Sequence, residues 1–152
     1  MPLKVEVVSQ DRLVWSGEAD MVVLPGASGQ MGILPDHAPL LTTLKPGFMH
    51  VKQGDREEVF TIVGGFAEVQ PDQVIVLADA AEHVEEIDLS RAQAAKERAE
   101  RLLAAGPEDR EAYLAALAAL RRANLRLEAV RRYRRRQRTS MPTPGSSSEG
   151  QA

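Results

Sequence analysis

Cysteine is absent from the 152 residues. That excludes disulfides and thiolate metal sites, and it fits a reducing cytoplasm. No run of about 18 apolar residues occurs, so no transmembrane helix is expected. The opening Met1-Pro2-Leu3-Lys4-Val5-Glu6 carries no apolar signal core, so secretion is not expected either. Catalytic motifs are missing too. No G-x-x-x-x-G-K-[ST] phosphate loop is found. Gly26, Gly29 and Gly32 are spaced by threes, which is not G-x-G-x-x-G. Ser28 lies in G-x-S-G, one residue short of a nucleophile elbow. His37, His50 and His83 are scattered, without metal-ligand spacing. No nucleophile, base and orienting group stand in a recognisable arrangement, which disfavours an independent enzyme.

Apolar residues make up 43% of the chain, enough for the core of one domain or of a small domain with an appendage. The net charge of −3 hides a division. Residues 1–86 hold 5 Lys or Arg against 14 Asp or Glu, a net of −9. Residues 87–138 hold 14 against 7, a net of +7. An acidic front and a basic back suggest two parts with different partners.

The front, residues 1–86, reads as β. Val5 and Val7 alternate with polar neighbours. Similar runs follow at Arg12–Trp15, Asp20–Leu24, Phe48–Lys52, Val59–Val63, Phe66–Val69 and Val74–Leu77. Turn residues separate them, among them Pro46-Gly47, Gly64-Gly65 and Pro71-Asp72. Short strands at this spacing predict an antiparallel sandwich or barrel, with Trp15 and Phe66 in its core.

The back, residues 87–138, reads as a helical hairpin. Asp88 is the expected N-cap of a helix from Leu89 to Ala105, which holds neither glycine nor proline. Gly106-Pro107 ends it and opens a second helix at about Pro107. So short a connection favours antiparallel packing. The expected apolar faces are thin: Leu89, Ala92, Ala95, Ala99, Leu102 and Leu103 against Leu114, Leu117, Ala118, Leu120 and Leu127. Such a hairpin either simply docks on the sandwich or can undock and extend. Residues 139–152, TSMPTPGSSSEGQA, have almost nothing to bury and are expected to be disordered.

Arginines crowd the end of the second helix: Arg121, Arg122, Arg126, Arg131, Arg132, Arg134, Arg135, Arg136 and Arg138. Guanidinium forks match phosphate oxygens two at a time, and cations suit a helix C-terminus. A solvated basic end is the plain reading. An acidic partner would relieve the self-repulsion of the run. Nucleic acid is the rival partner, but the run has one aromatic, Tyr133, and the acidic front would repel phosphate.

The run Gly26-Ala27-Ser28-Gly29-Gln30-Met31-Gly32-Ile33-Leu34-Pro35-Asp36-His37-Ala38-Pro39-Leu40 is tightly prescribed by its glycines and prolines. In so rigid a loop, His37 is expected to bond to backbone rather than to catalyse. The run resembles the G-x-x-G-x-x-x-x-L-P-x-H-x-P-L loop of the epsilon subunit of bacterial F-type ATP synthases. Gly64-Gly65-Phe66-Ala67-Glu68-Val69, Val76-Leu77-Ala78-Asp79-Ala80-Ala81-Glu82 and Ala95-Lys96-Glu97-Arg98-Ala99 extend the resemblance, which covers residues from about 3 to 130 in the family's order.

The resemblance implies an α+β fold: an N-terminal antiparallel β-sandwich of about ten strands, then a two-helix hairpin. It implies a non-catalytic rotor subunit of the central stalk, peripheral on the cytoplasmic face of the bacterial membrane. The implied partners are the gamma subunit and the c-subunit ring, which the sandwich touches, and His37 is expected to be a partner-binding residue. Alpha and beta subunits would be met when the hairpin extends and impedes ATP hydrolysis. Arg131, Arg132, Arg134, Arg135 and Arg136 are then expected to contact acidic loops of beta. Some members bind ATP on the folded hairpin through I/L-D-x-x-R-A, which Ile87, Asp88, Arg91 and Ala92 match in type and spacing. Glu82, Arg98, Arg122 and Arg126 fall where that pattern has its other charged residues. ATP would be a regulatory ligand, with no cofactor required.

Overall fold

The computed structural model describes residues 1–134. The expected tail at 139–152 lies outside the described residues, as do Arg135 and Arg136. Eight strands come first: β1 (Leu3–Val8), β2 (Leu13–Ala19), β3 (Met21–Gly26), β4 (Gly29–Ile33), β5 (Leu40–Thr43), β6 (Gly47–Gln53), β7 (Arg56–Gln70) and β8 (Gln73–His83). A single 3-10 turn, Val84–Glu86, leads to helices α1 (Leu89–Ala104) and α2 (Arg110–Ala129), and α2 runs into a π-helical turn, Val130–Arg134.

The strands form one hydrogen-bonded sheet in the order β2-β1-β8-β7-β6-β3-β4, with β5 paired to β7. The sheet folds over on itself: β2 touches β6, although three strands separate them in that order. Alternation explains the core between the two layers. Leu3, Val5 and Val7 of β1 point inward and join Val22 and Leu24 of β3, Met49 of β6 and Val74 and Val76 of β8. The pairings are antiparallel except β1 with β8, which runs parallel. A parallel pair needs a long crossover, here nearly the whole sandwich.

The count of eight strands, not about ten, has a physical reason. Val59–Val63 and Phe66–Val69 are parts of one 15-residue strand that passes straight through Gly64-Gly65. That pair is not a turn. Gly65, at φ 112°, sits so close to β8 that a Cβ there would lie 2.1 Å from the Leu77 carbonyl oxygen. The run expected to be a loop, in turn, supplies β4 and the start of β5. Ala27-Ser28 is a two-residue hairpin between β3 and β4. His37 donates from Nδ1 to the Ala38 carbonyl at 2.7 Å, the side chain–backbone bond expected of it.

Phe66 is not in the core. It is 51% exposed, and Phe60 fills the interior instead, tilted against Trp15 with ring centroids 5.8 Å apart. In Phe66-Ala67-Glu68-Val69 one face takes Phe and Glu, the other Ala and Val. The smaller pair faces in.

Asp88 caps α1 as expected, accepting from the Arg91 amide at 3.0 Å. Gly106 follows the helix at φ 76°. The second helix begins at Arg110, not Pro107, because Asp109 is its cap and accepts from the Ala112 amide at 2.7 Å. The buried seam of the hairpin is alanine: Ala92 and Ala99 on α1, Ala116 and Ala123 on α2. Leu89, Leu102 and Leu114, expected on the inner faces, are half exposed. Small side chains let the two helices approach closely and leave their leucines outside the seam.

Candidate functional site

Between the hairpin and the sandwich lies a cavity of about 500 Å³. Thr61 of β7 and Glu82 of β8 face it from the sandwich, Arg98 from α1, and Arg122 and Arg126 from α2. Its floor exists because the middle of β7 is covered on both sides. Phe60 and Ile62 enter the sandwich core, while Val59 joins a second cluster on the helix side. Thr61, 3% exposed, donates its hydroxyl to the Glu82 carbonyl at 3.4 Å.

The cavity is cationic. Arg126 forks onto Glu82, with Nε at 2.8 Å and Nη2 at 3.1 Å from its two oxygens. Arg12, reaching in from the turn before β2, pairs with Glu86 at 3.2 Å. Among the described residues no carboxylate lies within ion-pair distance of Arg98 or Arg122. Two guanidiniums on two helices thus face one space whose single lining carboxylate, Glu82, is taken by Arg126. Such a space suits an anion whose oxygens can accept from both.

The structure divides the ligand residues expected from the sequence. Glu82, Arg98, Arg122 and Arg126 line the cavity. Ile87, Asp88, Arg91 and Ala92 stand at the start of α1. Ile87 is buried with Val59, Val84 and Ala129, and Ala92 is fully buried. Asp88 holds the first turn, with the Arg91 amide and the Ser90 hydroxyl donating to it. The bond from the Arg91 amide, foremost, holds the Asp88 carboxyl below its ordinary value of 3.8. The Arg91 side chain is 84% exposed and 3.6 Å from Asp88. Arg12 and Thr61 were not foreseen. They lie in the runs Arg12–Trp15 and Val59–Val63, whose alternation marks strands but no site, and only the fold brings them here.

The expected partner residues are also placed. Arg131 is exposed. Arg132 pairs with Glu128 at 3.2 Å, and Arg134 lies 3.9 Å from Glu85.

A second surface lies on the outside of the sheet. Cross-strand register puts Phe66 beside Leu77, Leu77 beside Val8, and Val8 beside Leu13. Phe66, Leu77 and Leu13 are each about half exposed, and Leu41 of the neighbouring β5 is 72% exposed. An apolar row crossing four strands is the kind of surface that a protein partner covers.

Two family models match the chain: the ATP synthase delta/epsilon chain β-sandwich domain over residues 2–84, and the long α-helix domain of the same chain over residues 85–131. The chain belongs to the epsilon-chain family of ATP synthase. The ATP synthase epsilon chain of Dehalococcoides mccartyi strain CBDB1 is 46% identical over 139 residues, covering 88% of this chain and 95% of its own. That of Acidithiobacillus ferridurans is 47% identical over 134 residues, covering 88% and 94%. Among solved structures, a chain of the Euglena gracilis mitochondrial ATP synthase, OSCP/F1/c-ring assembly, superposes with a TM-score of 0.69 at 25% identity, covering 85% of this chain and 81% of that one. As an epsilon chain, the protein is a subunit of ATP synthase, and its α+β fold is that of the family: sandwich first, helix pair second.

Proposed function

We propose that this epsilon chain is a non-catalytic rotor subunit of the central stalk. It couples proton flow to ATP synthesis and restrains ATP hydrolysis through a hairpin with two poses. In the folded pose the hairpin rests on the sandwich and takes ATP as a regulatory ligand. In the extended pose it reaches the alpha and beta subunits. The observation that carries this reading is the cavity between hairpin and sandwich, faced by Arg98 and Arg122, neither of which has a carboxylate partner among the described residues. A polyphosphate bound there would touch both helices at once, so it would stabilise only the folded pose. Saturation at a hundred times the dissociation constant adds about 2.7 kcal/mol. The hairpin's seam of small alanines leaves a folded pose that such an increment can decide.

The apolar row through Leu13, Leu77 and Phe66 supports a protein partner on the sandwich, which we assign to gamma. The Gly26–Leu40 segment with His37 is assigned to the c-ring. No described helix is long and apolar enough to cross a membrane, in keeping with peripheral attachment at the cytoplasmic face.

The test is ATP hydrolysis by the assembled enzyme, with the full chain against a chain ending at residue 86. Hydrolysis is expected to rise when the hairpin is removed, while the complex still assembles. Equal hydrolysis in both assemblies would refute the restraining role.

A further inference from the structure

The hairpin is fastened to the sandwich at its far end. Ala129, the last residue of α2, is fully buried in a small cluster with Val59, Val84 and Ile87. The π-helical turn that follows is wider than an α-turn and re-aims the side chains behind it. Tyr133 packs edge-on against Phe48 of β6, with ring centroids 5.3 Å apart, and against His50, at 5.1 Å. His50 donates from Nδ1 to Glu57 at 2.6 Å, which leaves Nε2 to accept from the Tyr133 hydroxyl at 3.5 Å. The Arg132 guanidinium lies 5.7 Å from the centre of the Phe48 ring.

Arg134 goes to a different place. Its Nη2 donates to the Val84 carbonyl at 2.8 Å and to the Ile87 carbonyl at 2.5 Å. Those two carbonyls bracket the 3-10 turn that joins β8 to α1. His83, just before the turn, is held as well: Nδ1 accepts from the Glu85 amide at 3.0 Å, and Nε2 donates to Glu58. The connector is therefore the one covalent joint between sandwich and hairpin, and a side chain from the end of α2 is bonded to both of its ends. Swinging the hairpin away requires new backbone angles in that connector, and it would break both bonds.

We propose that Val130–Arg134 is a latch, with Arg134 clamping the connector and Tyr133 seated on β6, and that the latch holds the folded pose without any ligand. The proposal rests on the two-pose reading of the hairpin but not on ATP binding. It also gives the first arginines of the basic run an intramolecular role in the folded pose.

The experiment is pulsed electron resonance on the full chain without nucleotide. Spin labels go on Glu18→Cys in the sandwich and Glu108→Cys at the hairpin tip, and the lack of native cysteine makes the labelling specific. One distance is expected in the otherwise native chain. Tyr133→Ala with Arg134→Ala should add a second, longer distance and raise the open-to-folded ratio by roughly tenfold or more, since each bond to a charged donor is worth a factor of about that size. Arg134→Met should open the hairpin too, because it keeps an unbranched stem but has no donor for the two carbonyls that Nη2 holds. Circular dichroism checks that both helices persist. A single unchanged distance in the double variant would overturn the latch, and native behaviour of Arg134→Met would overturn the clamp. Nucleotide titration is a separate readout, so failure of ATP to bind would leave this result standing.

Discussion

Glu82 and Arg126 carry the one two-pronged ion pair found among the described residues between the sandwich and the hairpin. Both side chains are about a quarter exposed, so solvent screens the pair, but the fork geometry is favourable. A coupling of about 1 kcal/mol is expected for such a pair. A double-mutant cycle with Glu82→Gln and Arg126→Gln, read by urea unfolding, should return that coupling, and high salt should shrink it. Additive losses would show that the fork does not contribute to docking. The same pair also explains why residue types alone could not define the site. Arg126 and Arg122 look alike in the sequence, one helical turn apart, yet of the two only Arg126 has a carboxylate within ion-pair distance among the described residues. Glu82, 44 positions earlier, makes the difference, and no spacing rule reports on that.

At the scale of elements, Gly65 is the most demanding position. Its φ of 112° and the Leu77 carbonyl 2.1 Å from a would-be Cβ leave no room for a side chain. Gly65→Ala is expected to destabilise the sandwich by about 3 kcal/mol or more, seen as a lower urea midpoint. An unchanged midpoint would mean that β7 and β8 can separate at this point without cost. The sequence showed these glycines but not their use. Gly-Gly is a frequent turn, and nothing local distinguishes a turn from a strand that must pass close to its neighbour. The helices were more legible, because Asp88 and Gly106 act at short range and perform the capping roles their chemistry suggests. Pro107 misled by two or three residues, since Asp109 offers the better cap. The inward phase of Phe66–Val69 was illegible for a similar reason. Hydrophobic size favours Phe inside, whereas the register with β8 places Phe66 in an outward row with Leu77.

At the scale of the whole molecule, the division of charge acquires a geometry. An acidic sandwich and a basic hairpin attract one another, and their contacts concentrate at two points, the Glu82–Arg126 fork and the turn at Arg134. Between those points the cavity remains, with Arg98 and Arg122 turned into it. Half of the ligand residues expected from the family resemblance meet there. The other half build the start of α1, so a ligand in the cavity and a ligand at that helix start are distinct outcomes. The measurement that separates them is calorimetric titration of the full chain with MgATP, repeated with Arg122→Ala and with Arg91→Ala. One saturable site is expected, weakened roughly tenfold or more by Arg122→Ala, which removes a guanidinium fork from the cavity, and much less by Arg91→Ala. No binding at millimolar ATP would contradict a nucleotide-sensing hairpin, and equal losses in the two variants would contradict the cavity as its site.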